Sequence, residues 1–183
     1  NLKNVRVENN TAIKSCAGVF ISGSENITLD LCYFDYNTGG FGLLEHGNGF
    51  YGSASMDINI TNSTFDSNSG ASYGGGCCVL ASRYSCLLNA SVSFNSAKDF
   101  GGGLYLKTPK SLLDQITINN NKCLKGDGFG GGLYLESNYY EILESVQISH
   151  NRALSGGLAY INIQTTFSIL EYKYAFNNSA SDS

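Results

Sequence analysis

Large apolar residues return along this chain at fixed offsets from an asparagine. The asparagines are Asn10, Asn37, Asn68, Asn95, Asn121, Asn151 and Asn177, separated by 27, 31, 27, 26, 30 and 26 residues. Three residues before each stand Val7, Phe34, Phe65, Val92, Ile118, Ile148 and Tyr174. Eight before each stand Leu2, Leu29, Ile60, Leu87, Leu113, Leu143 and Ile169. Five before, the column reads Val5, Cys32, Ser63, Ala90, Ile116, Val146 and Tyr172; two after, every residue is small. Offsets of minus five and minus three lie two apart, which is the period of a strand with one buried face.

A second strand follows a glycine cluster. Gly101-Gly102-Gly103 leads into Leu104-Tyr105-Leu106-Lys107, and Gly130-Gly131-Gly132 into Leu133-Tyr134-Leu135-Glu136. The leucines alternate with tyrosines, so the pattern points Leu104 and Leu106 inward and Tyr105 outward; Val19 and Ile21 flank Phe20 in the same way. No helical period accompanies these residues, and the glycines would break a helix drawn across them. A repeat of this length is too short to bury a face alone, so copies must stack. The expectation is an all-β, single-stranded parallel β-helix filling one domain over 1–183, with about seven coils of 26–31 residues. Right-handed winding is expected by analogy with that fold, with coils about 4.8 Å apart. The anchor asparagine is expected to take the left-handed backbone of a sharp turn and to stack its amide along the rod. Leu43 to Gly52 departs most from the pattern and reads as an enlarged loop.

Composition adds exclusions. With 42% apolar residues, 22 Gly and a single Pro among 183 residues, the chain can bury enough surface to fold. A net charge of -4 and the absence of a basic run leave nothing to track phosphates, so no nucleic-acid partner is expected. No apolar run reaches the length of a membrane span. The chain shows no initiator methionine and no signal-peptide core, and both termini fall inside a repeat. It is therefore expected to be a portion of a longer chain or a unit that stacks on copies of itself.

Phe34-Asp-Tyr-Asn37 and Phe65-Asp-Ser-Asn68 match an F-x-x-N motif, and the Gly-Gly-(Gly)-Leu strands match a G-G-[AGL]-hydrophobic motif. That pairing resembles the repeats of chlamydial polymorphic outer-membrane proteins and related adhesin-like β-helix proteins. The resemblance covers nearly the whole chain, although the other coils carry Val, Ile or Tyr where the motif has Phe. It implies a surface-exposed, adhesive or structural protein without enzymatic activity.

Several residues carry candidate chemistry. N-x-S/T sequons occur at Asn9, Asn26, Asn59, Asn62, Asn89 and Asn177. Asn26, Asn59, Asn62 and Asn89 fall at outward positions and are the expected N-glycan acceptors, which implies a secreted context; Asn177 falls in the anchor column. Six cysteines fit no zinc spacing. Cys32, Cys77 and Cys123 read as small buried hydrophobes, while Cys78 and Cys86 flank the Arg83-Tyr84 turn and form the candidate disulfide. Glu8, Asp35 and Asp66 stack in one outward column, for which Ca2+ is the candidate occupant and splaying into water the simpler alternative. Lys107 and Glu136 are expected to form a surface ion pair. Tyr105, Tyr134 and Phe20 form a broken aromatic strip that suits either sugar stacking or ordinary ladder packing. Gly47-Asn-Gly-Phe-Tyr-Gly52 matches G-x-G-x-x-G but precedes no helix, so it reads as a loop. His46 and His150 stand alone, and Asp99 with Asp127 is the only carboxylate pair to nominate for a polysaccharide-cleaving site.

The function these readings favour is a non-enzymatic extracellular or cell-surface β-helix module. It would stack end to end, either on flanking coils of its own chain or head to tail on identical subunits. The alternative is a carbohydrate-binding or carbohydrate-active β-helix with glycan ligands.

Overall fold

The computed structural model describes residues 1–13, 16–39, 46–125, 127–137, 140–163 and 167–180. They wind as a parallel β-solenoid. A coil has a glycine-led strand, a long strand and a short strand, typified by Leu104–Lys107, Lys110–Asn119 and Lys122–Cys123, and the first two run together in Val19–Asp30 and Phe50–Thr61. Every strand pairs in parallel with its counterpart one coil away, like residue over like: Leu104 over Leu133, Tyr105 over Tyr134, Ile118 over Ile148. The short strands make a seven-stranded sheet of their own, and the other two classes join in a larger one. Seven asparagine rungs are joined by six turns of the chain, close to the seven coils expected from the repeat. The enlarged loop expected from Leu43 falls partly on residues 40–45, which lie outside the described residues.

The two apolar columns face the interior as their spacing predicts. Leu29, Ile60, Leu87, Leu113 and Leu143 are fully buried, as are Phe34, Phe65, Val92, Ile118 and Ile148. Leu104, Leu106, Leu133 and Leu135 close the core from the glycine-led strands. Phe34 stacks on Phe65 at 5.0 Å between centroids, so neighbouring coils are joined by ring faces as well as by backbone.

The turn mechanism differs from the expectation. The left-handed residue is the one before each asparagine: Asn9, Tyr36, Ser67, Phe94, Asn120, His150 and Asn177, all with φ between 53 and 57°. This places the asparagine itself back in ordinary backbone with its amide aimed inward. Asn37, Asn68, Asn95, Asn121 and Asn151 are buried, and each amide is saturated. In Asn95, Oδ1 accepts from the Asn68 backbone N–H at 2.9 Å and from Asn68 Nδ2 at 3.0 Å. Its Nδ2 donates to the Phe65 carbonyl at 2.8 Å and to Asn121 Oδ1 at 3.1 Å. Both donors and both lone pairs of the side chain are used, which is what a buried amide requires.

The ladder also corrects the last anchor. Asn151 donates to Asn178 Oδ1, not to Asn177, and Leu143 and Ile148 pair with Leu170 and Ala175. The pattern there is degenerate, because Asn177-Asn178 and Ile169-Leu170 each offer two acceptable residues. A slip of one position moves every side chain to the other face, and hydrogen bonding decides which register holds. The columns therefore lose Ile169 and Tyr174, and Asn177 becomes a corner residue.

The three glycines of a cluster answer three separate demands. Gly101 has φ +60°, which makes the corner. A Cβ on Gly102 would lie 2.3 Å from the Gly131 carbonyl oxygen of the next coil. A Cβ on Gly103 would lie 2.7 Å from Asn121 Cγ, so the third glycine exists to admit the asparagine ladder. The two sequence signals, asparagine and glycine cluster, are halves of one contact.

Candidate functional site

The outer face of the glycine-led strands is covered. Tyr51, Cys78, Tyr105 and Tyr134 form a second apolar cluster outside the main core, with Tyr73, Phe100, Phe129 and Tyr160 packed on it. Tyr105 stacks on Tyr134 at 5.1 Å, and Tyr134 on Tyr160 at 5.2 Å. Phe100 and Phe129 form a parallel column and meet the tyrosines edge-on. Tyr105 is thus outward of the main core but only 7% exposed, so of the two readings of the strip, ladder packing and sugar stacking, the buried tyrosines fit ladder packing. The signal lay in Tyr73, Phe100 and Phe129, each immediately before a left-handed glycine, whose corner turns the ring back over the strand. Phe20, stacked on Tyr51 at 4.6 Å, alone of the predicted strip stays exposed.

His46 lies against Tyr51 and Tyr73, 5.0 Å from each ring, and burial holds its imidazole below the ordinary histidine range. Gly47 makes the corner of this coil, and Gly49 sits against the Asn68 amide, so the G-x-G-x-x-G stretch serves the ladder as its lack of a helix suggested. His150 is a left-handed corner residue with Nε2 3.2 Å from Asn177 Nδ2.

The six cysteines are free thiols, so Cys78 and Cys86 are not joined. Cys78 is enclosed by the aromatic cluster, while Cys86 lies on the long strand beyond the turn. Burial raises the Cys77 and Cys78 thiols well above the ordinary range and pushes Cys16 and Cys123 up to about 12. Thiols held this way are poor nucleophiles.

Glu8, Asp35 and Asp66 do stack in register. A guanidinium occupies the column: Arg6 Nε donates to Glu8 Oε2 at 2.7 Å, with Nη2 3.8 Å from Asp35 Oδ2. Asp66 Oδ2 accepts from Ser67 Oγ. Burial and then the Asp66 charge raise the Asp35 carboxyl, partly offset by Arg6, and its Oδ1 is buried without a partner. Among the described residues no group of three or more candidate ligands is placed to hold a metal ion. Asp99 and Asp127 are brought together by Lys125, 3.0 and 3.5 Å from them, as an ion-pair triad. Lys107 and Glu136 form the expected pair at 2.9 Å.

Of the sequons, Asn26, Asn62 and Asn89 are exposed and Asn59 is half-buried. Asn62 and Asn89 adopt left-handed backbone and stack their amides: Asn89 Nδ2 donates to Asn62 Oδ1 at 2.8 Å, and Asn62 Nδ2 to Asp30 Oδ1 at 2.9 Å. The Asn62 bond, with one from Thr61, holds the Asp30 carboxyl below the usual range. Asn9 and Asn177 are exposed corner residues.

Sequence reasoning missed a groove where the long strand bends. Its walls are the outward residues six and four before each anchor, including Asn62, Thr64, Asn89, Ser91, Gln115 and Thr117, and small residues such as Ser63 and Ala90 floor it. It opens at Leu31 and Tyr33 with a volume of about 380 Å3 and continues through Gln115 and Thr117 to Ser145 and Gln147. None of these lining residues is charged. Leu31, Asn62, Asn89, Gln115 and Ser145 all take left-handed backbone at the same offset, but they share no residue type that would mark the bend in the sequence. No helix among the described residues is long and apolar enough to cross a membrane. Comparison with known protein families, characterised proteins and solved structures finds no match to this chain.

Proposed function

We propose that this chain is a non-enzymatic structural or adhesive module of an extracellular or cell-surface rod, lengthened by coils stacked on its ends. The observation that carries the reading is the self-matching stack, in which each coil meets the next with the same parallel register, the same apolar columns and the same asparagine amide. Leu2, Val5 and Val7 stay half-buried, whereas the residues directly beneath them, Leu29, Cys32 and Phe34, are fully buried. Asn10 is exposed and donates to Asn37, so the amide ladder ends there at a face able to take another rung. Such a face offers a further copy of the coil the contacts that the interior coils already make. Copies meeting head to tail make a heterologous contact that propagates as a filament unless it closes. The repeat resemblance to adhesin-like β-helix proteins supports the same reading.

Among the sequons, Asn26 is the acceptor proposed to carry a glycan, being exposed on the long strand. Asn62 and Asn89 have their amides engaged in stacking, and Asn59 is half-buried, which makes them lesser acceptors. Electron microscopy of the chain at rising concentration tests the assembly. Rods several times longer than one six-turn unit are expected; uniform isolated particles at the highest concentration would overturn the proposal.

A further inference from the structure

The groove at the long-strand bend is independent of the rod's ends, and its lining is uncharged along its length. From Leu31 to Gln147 it crosses five coils, about 19 Å at the strand spacing. Side-chain amides and hydroxyls recur at four of the five coils: Asn62 and Thr64, Asn89 and Ser91, Gln115 and Thr117, Ser145 and Gln147. At one end Tyr33 and Leu31, 43% and 40% exposed, offer an apolar platform.

We propose that this groove binds a neutral polysaccharide lying along the rod axis. Sugar hydroxyls both donate and accept, and so do the amides and hydroxyls that line the walls. A repeating polymer matches a repeating wall, and an aromatic ring at one end suits the C–H face of a sugar ring. A polyanion would find no cation among the lining residues. An extended peptide would find no free strand edge, because Tyr84–Ser93 and Lys110–Asn119 are paired on both sides. A glycan attached to Asn62 or Asn89 would occupy the same space, so the groove is open only on chains bare at those positions.

Affinity electrophoresis tests this with the whole chain made without N-glycans. Native gels carry xyloglucan, galactomannan, mixed-linkage β-glucan or dextran, and a further gel carries polygalacturonate. Retardation is expected in at least one neutral gel. Thr117→Trp, which fills the groove midway, and Tyr33→Ala should each weaken it about tenfold, while Lys122→Ala on the short-strand face should leave it unchanged. Thermal melts confirm that the variants fold. Absence of retardation in every neutral gel, retardation by polygalacturonate alone, or retardation that survives both groove substitutions would each overturn the proposal.

Discussion

Asn95 shows how much one side chain is asked to do in this fold. Its amide satisfies the Asn68 backbone N–H, the Asn68 amide, the Phe65 carbonyl and the Asn121 amide, all away from water. Asn95→Ala strands those partners, and each unsatisfied buried group costs about 1–3 kcal/mol. The net loss expected is about 4 kcal/mol, read as a lower urea midpoint with an unchanged slope; a loss within experimental error would mean the ladder is ornamental. Asp35 is the opposite case, a carboxyl poorly served by its surroundings. Burial and Asp66 raise its pKa in the folded chain, so the folded state holds that proton more tightly than the unfolded one does. Its contribution therefore favours folding at low pH and is lost as pH rises through the raised value. Asp35→Asn should raise the melting midpoint at pH 7 and change it little at pH 3; a lower midpoint at pH 7 would show that the Arg6 contact dominates. The asparagine column was legible because amides that must be saturated leave no choice of residue. The left-handed corner one position earlier was not, since it accepts Asn, Tyr, Ser, Phe and His alike.

At the scale of the strand and its turn, the glycine cluster and the asparagine ladder are coupled by contact. Gly103→Ala pushes a methyl to within 2.7 Å of Asn121 Cγ, an overpacking expected to cost about 2 kcal/mol. Asn121→Ala vacates that space, so in the double variant the glycine substitution should cost little more than the asparagine substitution alone. Strict additivity in a double-mutant cycle would show that the two residues act separately. The inward faces of the strands were readable from a period of two, and Leu104, Leu106, Leu133 and Leu135 lie where that period places them. The outer faces were not. Alternation places Tyr105 and Tyr134 outward, and it contains no information about Tyr73 and Phe100, which fold back over them from a corner. The groove was hidden for a similar reason, because it is a concavity between two outward columns and neither column is unusual by itself.

For the whole molecule, coil geometry is repeated and end geometry is not. Interior coils are sealed on both sides by identical neighbours, with Leu87, Val92 and Asn95 fully or almost fully buried. The first coil has the same residue classes but keeps Leu2, Val5 and Val7 half-buried and Asn10 exposed. Burying those side chains beneath another coil would gain the hydrophobic free energy that the interior coils already have. Fold class follows from the repeat alone, and the proposal of a rod extends the same like-over-like stacking beyond one chain. Sedimentation velocity over a concentration series, comparing the chain with Val7→Glu, tests it most directly. The chain should shift to faster-sedimenting species as concentration rises, and Val7→Glu, which puts a charge on the open face, should remain a monomer; a chain that stays monomeric throughout, or a variant that associates equally well, would contradict end-to-end stacking.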